Sequence, residues 1–291
     1  MIKSKVKINI DKRLTDDVVL WRYVPLEKLV HLLDSKSLFL APLAFFKNSD
    51  PLEGHLPRKF HEEFSKFRKE MSKFGSENID VNNFEPYQKE MWLDIQKEQE
   101  KWLARSEIML EKVRGRPSVC CWFRSDYESE AMWKLYGDNG KSIAIRTTVG
   151  DLKKSIEARD NDNLVFLNSI KYVDFNDPNL TIEDIKVEDT TDASILLKRK
   201  EYEHENEVRL YHKPSPFDAL SQHNVFNDYW LRYEIKPVMI NVEPKLLINE
   251  VIVSPYVSEL YISSVKAVCK VFGFEDCQVS QSKLLEEYDM K

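Results

Sequence analysis

The sequence predicts an α+β fold, in which a single mixed sheet forms one domain over residues 1–291 and carries an inserted helical hairpin at residues 55–115. Three observations predict this fold class. Strand-like apolar runs alternate with amphipathic helices near both ends of the chain, and a long middle stretch has apolar residues only at helical spacing. No Gly/Ser-rich or Pro-rich linker divides the 291 residues, and a chain of this length can bury a sizeable core.

The first unit, Val18 to Pro42, reads as a strand, a helix and a second strand. Pro25 suits the first turn of a helix, because its missing N–H has no intrahelical partner there. Leu26, Leu29 and Leu33 form an apolar stripe at helical spacing. The unit is therefore predicted to be β-α-β.

The middle stretch predicts the two helices of the hairpin. Its apolar residues recur at steps of three and four within a sequence rich in Lys, Glu and Gln, which is typical of amphipathic helices. These residues are predicted to pack against one another or against the sheet. They are Phe60, Phe64, Phe67, Met71, Phe74, Tyr87, Met91, Ile95 and Trp102.

The remaining elements follow from apolar runs, caps and turn residues. Strands are predicted at 116–123, 141–148, 164–175, 230–235, 246–253 and 278–282. Helices are predicted at 125–139, 151–157, 194–202 and 257–272, and an acidic loop at 177–191.

The stretch from Glu205 to Tyr211 alternates between two kinds of side chain. In a strand, Glu205, Glu207, Arg209 and Tyr211 share one face, because side chains alternate with a period of two. That face is either a solvated ladder of ion pairs or the side of a polar cleft.

Composition excludes several classes of protein. A net charge of −6 argues against strong general affinity for nucleic acid, and no apolar run reaches the ~20 residues of a membrane helix. The basic amino terminus is not followed by the apolar segment of a secretory leader, so a cytoplasmic location is expected. The four cysteines lack Cys-x-x-Cys spacing, so no zinc site or disulfide framework is predicted. P-loop, Rossmann, nucleophile-elbow and His-Glu-x-x-His motifs are absent from the sequence.

Several short motifs, in this order and spacing, resemble a bacterial family, the domain-of-unknown-function family twenty-nine seventy-one. The motifs are Trp21-Arg-Tyr23, Asp50-Pro-Leu-Glu53, Met132-Trp-Lys-Leu-Tyr136, Glu205-x-Glu207-x-Arg209 and Glu250-Val-Ile-Val-Ser-Pro255. The resemblance covers most of the chain, with the hairpin as an elaboration. The family name implies no activity.

The order of parts is in turn similar to the ADP-ribosyltransferase fold. That fold has an arginine or histidine on its first strand, an aromatic residue on a strand–helix unit and a late strand with a catalytic glutamate, often in Glu-x-Glu. The resemblance assigns the first role to Arg22 and the last to Glu207. It implies NAD as cofactor, and a toxin-like or phage-defence effector by analogy with other bacterial members of such folds.

The chemistry of NAD implies a role for each of the residues that the resemblance singles out. Glu207 would stabilise the oxocarbenium character that develops on the ribose of NAD, and Glu205 would orient or deprotonate an acceptor of unknown identity. Arg209 would hold both glutamates ionised. Arg22 would bind the pyrophosphate, and the aromatic rings of Tyr23, Trp133 or Tyr136 would stack on nicotinamide or adenine.

Two other functions remain open. In a metal-dependent nuclease, Asp50, Glu53, Glu205 and Glu207 would hold magnesium, and the cations of Lys198 to Lys200 would face phosphate. In a non-catalytic binding domain, the same ionic face would hold a partner.

Overall fold

A computed structural model describes residues 8–73, 80–137, 140–187, 193–214, 234–275 and 278–286. The strands are β1 (Ile8–Ile10), β2 (Val19–Val24), β3 (Ser37–Pro42), β4 (Ser118–Arg124), β5 (Ile143–Thr148), β6 (Val165–Ser169), β7 (Lys171–Val173), β8 (Leu197–Arg199), β9 (Glu207–His212), β10 (Val238–Asn241), β11 (Glu250–Val253) and β12 (Val279–Gln281). The α-helices are α1 (Leu26–Ser35), α2 (Arg58–Lys73), α3 (Pro86–Gly115), α4 (Glu130–Tyr136), α5 (Val149–Glu157), α6 (Ile182–Ile185), α7 (Ala193–Leu196), α8 (Pro244–Leu247) and α9 (Glu259–Val271). Short 3-10 helices cover Leu43–Phe46, Val81–Asn83 and Lys200–Glu205.

Within the described residues, ten strands form one mixed sheet, and β7 and β8 pair separately. The order along the sheet is β1-β6-β9-β4-β2-β5-β11-β12, with β3 beside β4 and β10 beside β3. The β1–β6 and β11–β12 pairs are parallel, whereas the central pairs are antiparallel. This confirms the α+β class with a large mixed sheet.

The main core lies on one face of the sheet, where strand residues such as Leu20, Val208 and Leu210 meet Leu29 of α1 and Leu152 of α5. All five of these residues are fully buried, at 0 % exposed. Alternation on β9 therefore directs Val208 and Leu210 into the main core, and it directs Glu207, Arg209 and Tyr211 to the opposite face.

Several predicted elements have different bounds. Helix α4 begins at Glu130 rather than near Ser125, because Ser129 is its N-cap and accepts the Met132 N–H through Oγ. A short helix, α6, interrupts the acidic segment predicted as a loop. The strand predicted at 230–235 falls largely among residues 215–233, which lie outside the described residues.

The helix predicted at 194–202 is wrong in type over most of its length. In this segment only α7 is an α-helix, and the chain then forms strand β8 and a 3-10 helix. Leu197 to Arg199 extend because β8 pairs in parallel with β7. Extension brings Lys198 into the protein interior, whereas a cationic helix face would have lain in solvent.

Helices α2 and α3 occupy the segment predicted as a hairpin. Phe60 is partly buried against the cluster of Leu43, Val119 and Tyr211, but most of the apolar residues predicted to pack in this segment are exposed. Phe64, Phe67, Met71, Tyr87 and Met91 are all 47 % or more exposed. The two helices meet instead through Arg68, which hydrogen-bonds Ser106 and pairs with Glu107. Phe74 lies outside the described residues. No helix among the described residues is both long and apolar enough to cross a membrane.

Candidate functional site

The sheet opens between β2 and β4. These strands pair at Leu20–Arg124 and Trp21–Phe123, after which β4 runs along β3 instead. The opening holds a cleft of about 560 Å³, a size common for small-molecule sites. Its lining includes Arg22, Tyr23, Cys121, Tyr136, Glu205 and Glu207.

Strand β9 carries Glu207 to this cleft. Trp21, Phe123 and Glu207 are register partners across β2, β4 and β9, so their side chains share one face of the sheet. The Glu207 backbone N–H donates to the Tyr172 hydroxyl at 2.8 Å. The first residue of β9 is thus fixed from two sides at the mouth of the opening.

Glu205 does not lie on the strand that the alternation predicted. It ends a 3-10 helix, and Asn206 turns the chain into β9 with a left-handed φ of 36°. Asn is one of the few residues that adopt this conformation readily. The Asn206 side chain is held by Arg124, donating to its carbonyl oxygen at 2.6 Å and accepting from its guanidinium at 3.1 Å.

The two glutamates nevertheless converge on one cation. Lys198 Nζ lies 3.1 Å from Glu207 Oε2 and also forms an ion pair with Glu205 Oε2. Lys198 is 8 % exposed, so these charges meet away from bulk solvent. The solvated charge ladder is therefore excluded for this face.

Arg209 lies behind Glu207 rather than in the cleft lining. Its Nε is 2.7 Å from Glu207 Oε1, and its Nη1 donates to Glu53 Oε1 at 2.9 Å and to the Ile195 carbonyl at 2.6 Å. The Arg209 side chain is 1 % exposed. We call Glu53, Lys198, Glu205, Glu207 and Arg209 the charge cluster. When all five are ionised, three carboxylates and two cations leave a net charge of −1.

The pKa values of Glu207 and Lys198 favour their ionised forms. Burial alone would raise the pKa of Glu207, but the positive charges of Arg209 and Lys198 outweigh burial and hold that pKa well below its usual range. Burial likewise opposes the charged form of Lys198, and Glu207 and Glu205 raise its pKa above the usual value. Glu207 is therefore an anion at neutral pH, suited to stabilising positive charge and unsuited to donating a proton.

The loop predicted around Asp50 and Glu53 supplies the far side of the cluster. Asp50 is buried and accepts a hydrogen bond from Arg199 Nη2 at 2.8 Å. Gly54, at φ 78°, turns the chain directly after Glu53. A Cβ at this position would lie 3.2 Å from Leu43 Cδ1 and 3.3 Å from the Arg114 carbonyl oxygen, so glycine allows the close approach.

The predicted aromatic residues divide into two groups. Tyr136 lines the cleft and donates to Glu205 Oε1 at 2.8 Å. Burial and the charge of Glu205 raise its pKa, so the phenol stays neutral. Tyr23 also lines the cleft. Trp133 does not; it is 1 % exposed and meets the Tyr23 ring edge-on at 4.8 Å.

Arg22 reaches the cleft from the other side of the opening. It alternates with Trp21 and Tyr23 along β2, so it leaves the opposite face of the strand. Its guanidinium carbon lies 5.8 Å from the centre of the Trp122 ring. Lys28 and His31 of α1 also line the cleft, and the sequence motifs did not single out either residue as a ligand. The cleft therefore joins cationic groups to the carboxylates of the charge cluster.

Acid is expected to remove the stabilisation that the ionised Glu207 provides. A carboxyl whose pKa is depressed on folding stabilises the protein above its unfolded pKa of about 4.3, and this contribution is lost as the pH falls further. Urea unfolding of the wild type and Glu207→Gln at pH 7, 5, 4 and 3 measures the effect. The variant should lose less stability in acid than the wild type.

Glu250→Gln is the matched control, because Glu250 is half-exposed and lies 3.6 Å from Arg146. It should follow the wild-type pH dependence. Parallel curves for the wild type and Glu207→Gln would contradict a depressed pKa at Glu207.

Comparison with known proteins identifies one family. Residues 132–210 match the model of a family described as a protein of unknown function, DUF2971. The match supports the resemblance over these residues, which include Trp133, Tyr136, Glu205, Glu207 and Arg209. No curated protein and no solved structure matches the chain significantly.

Proposed function

We propose that this protein is an ADP-ribosyltransferase-like enzyme that binds NAD in the cleft, breaks its nicotinamide glycosidic bond and transfers the ADP-ribosyl group to an acceptor. One observation carries the proposal. Glu205 and Glu207 line a cleft that also contains Arg22 and aromatic rings, and buried cations hold Glu207 ionised. NAD combines an anionic pyrophosphate, two stacking rings and a ribose that becomes cationic as the bond breaks.

The proposed step uses the negative charge of Glu207. The bond between ribose C1′ and the nicotinamide nitrogen breaks, and its electron pair leaves with nicotinamide. The positive charge that develops on the ribose is stabilised by the Glu207 carboxylate, which needs no reorganisation because Arg209 and Lys198 already fix it. An acceptor then attacks C1′ and transfers its proton to Glu205.

The remaining residues have binding and positioning roles in this proposal. Arg22 would pair with the pyrophosphate, and Tyr23 and Tyr136 would contact the rings of NAD. Trp133 would support Tyr23 from behind, since it contacts Tyr23 and is not part of the cleft lining. Arg209 would position Glu207 rather than touch NAD.

The test combines binding with product release. NAD should raise the thermal midpoint of the protein in a dose-dependent manner, and nicotinamide should appear over time at the same rate with EDTA. Chromatography of nicotinamide measures the second effect. A protein that neither gains stability from NAD nor releases nicotinamide would overturn the proposal.

Arg22→Met should weaken NAD binding about 10- to 100-fold, because a hydrogen bond to a charged group contributes about 1.5–3 kcal/mol. Titration calorimetry measures the dissociation constant. Arg146→Met is the matched control, since Arg146 lies on the neighbouring strand β5 but outside the cleft lining. Equal weakening in both variants would contradict a specific role for Arg22.

The alternative of a magnesium-dependent nuclease receives less support. Its four carboxylates, Asp50, Glu53, Glu205 and Glu207, each contact a cationic side chain. Within the described ranges, no group of three or more His, Cys, Asp and Glu side chains is arranged to hold a metal ion. EDTA-sensitive cleavage of nucleic acid would favour this alternative over NAD chemistry.

A second candidate function is NAD binding without catalysis. One observation favours it, since both carboxylate oxygens of Glu207 already contact Arg209 and one also contacts Lys198. A rise in the thermal midpoint with NAD, combined with no nicotinamide release, would identify this function.

A further inference from the structure

The hairpin carries an apolar face that nothing in the described residues covers. We call Phe64, Phe67 and Met71 of α2 and Tyr87, Met91, Ile95 and Trp102 of α3 the outer stripe. Its members are between 41 % and 67 % exposed. Steps of three and four along α2, and of four, four and seven along α3, align each set on one side of its helix. Soluble proteins seldom leave such a continuous apolar face open to water.

The outer stripe is not a by-product of how α2 and α3 pack together. The most buried side chain of the two helices is Arg68, at 9 % exposed, and it reaches Ser106 Oγ at 3.2 Å and pairs with Glu107. Polar groups thus help to join the two helices. The outer stripe lies about a quarter turn away from this contact on both helices, given 3.6 residues per turn.

The outer stripe contains both a groove and projecting side chains. Met71, Met91, Ile95 and Trp102 line a cavity of about 550 Å³ between the helices. Phe64 and Phe67 continue the same side of α2, and Phe67 is 56 % exposed. A surface with a recess beside projecting rings can pack on itself, because a two-fold axis brings the rings of one copy to the recess of the other.

The charges around the outer stripe also suit a second copy. Helix α3 has six basic and six acidic residues, so its net charge is zero. Beside the groove, Asp94 pairs with Lys97 at 3.3 Å and Glu98 with Lys101 at 2.6 Å. Helix α2 has six basic and three acidic residues, so its net charge is +3. The charges therefore favour contact of α2 with the neutral α3 of the other copy, which is also the contact that brings the rings to the recess, over contact between the two α2 helices.

The area is sufficient for a stable dimer. Four members of the outer stripe are large aromatic side chains, which bury about 150–250 Å² each, and the other three are somewhat smaller, so seven half-exposed members contribute roughly 600–700 Å² per protomer. Two protomers would then bury roughly 1,200–1,400 Å², which is within the range of specific interfaces.

We propose that the outer stripe is a homodimer interface, in which the hairpins of two copies form a four-helix bundle. This proposal is independent of NAD chemistry and of the cleft. It accounts for the apolar spacing along both helices and for the exposure of these apolar side chains in the single chain.

Sedimentation equilibrium of the full chain from 1 to 100 μM tests the proposal. The wild type should sediment as a dimer at the upper concentrations, and Ile95→Lys should be monomeric, because a lysine would place a charge in the recess that the rings of the other copy fill. Leu93→Lys is the matched control, since Leu93 is 53 % exposed but lies about 200° around α3 from Met91. It should remain dimeric.

A second measurement separates a lost contact from a damaged fold. Ile95→Lys should keep the circular dichroism spectrum and the urea midpoint of monomeric wild-type protein, because Ile95 is 41 % exposed in the single chain. A wild type that stays monomeric at 100 μM would overturn the proposal. So would dissociation by Leu93→Lys equal to that by Ile95→Lys.

Discussion

Arg209→Met is expected to lower the free energy of unfolding by about 3–5 kcal/mol, because breaking a buried ion pair leaves its partner without compensation. Arg209 is 1 % exposed and contacts Glu207, Glu53 and the Ile195 carbonyl. Its removal leaves three buried carboxylates against Lys198 alone, so the net charge of the cluster changes from −1 to −2. Urea unfolding at pH 7 measures the loss.

Arg146→Met is the matched control for this prediction, because the Arg146 side chain is one-third exposed and lies 3.6 Å from Glu250. Its loss should be about 1 kcal/mol or less. Adding Glu207→Gln to Arg209→Met should recover part of the stability, because it removes one of the uncompensated charges. Equal losses from the two arginine variants would contradict the assigned burial of the pair.

Glu207→Gln is expected to reduce the rate of nicotinamide release about 100- to 1,000-fold, the effect of removing one preorganised electrostatic group. Glutamine keeps the size of the side chain but removes the charge that would stabilise the ribose cation in the proposed reaction. NAD should still raise the thermal midpoint, because Arg22 and the aromatic rings are unchanged. Single-turnover release of nicotinamide, measured well below the midpoint, gives the rate.

Glu53→Gln controls for the charge of the cluster. Glu53 contacts Arg209 at 2.9 Å but is not part of the cleft lining, and its substitution makes the same change in net charge. Its rate of nicotinamide release should fall far less than that of Glu207→Gln. Equal rates in the wild type and Glu207→Gln would assign the chemistry elsewhere.

Five residues that the sequence singled out, through alternation and through the order of its motifs, lie together in the structure. Arg22, Tyr23, Tyr136, Glu205 and Glu207 all line one cleft. The alternation failed at Glu205, where a single left-handed Asn206 separates the 3-10 helix from the strand. A three-residue Glu-Asn-Glu pattern is compatible with both conformations, so the sequence alone does not distinguish them.

The partners of the charge cluster could not be predicted, because they come from distant segments. Lys198 and Glu53 were recognised as charged residues, but their convergence depends on the pairing of β7 with β8 and on the turn at Gly54. Periodicity reports which side of an element a residue occupies. It contains no information on which element packs against that side.

The hairpin shows that periodicity does not predict burial either. Apolar spacing correctly predicted helices over most of the segment, but burial does not follow from spacing alone. Tyr87 is 67 % exposed although it belongs to the stripe that predicted the helix. The partner of an amphipathic face can lie in another molecule, which a single sequence does not specify.

The opening between β2 and β4 has a mechanical consequence. Two residue pairs, Leu20–Arg124 and Trp21–Phe123, are the direct ladder between the β1-β6-β9-β4 and β2-β5-β11-β12 parts of the sheet in the described chain. A ligand in the cleft would contact Arg22 on one part and Glu207 on the other. It would add a contact between two parts of the sheet that share the main core but are paired directly by this short ladder, so hydrogen exchange would slow on both sides of the opening when the ligand binds.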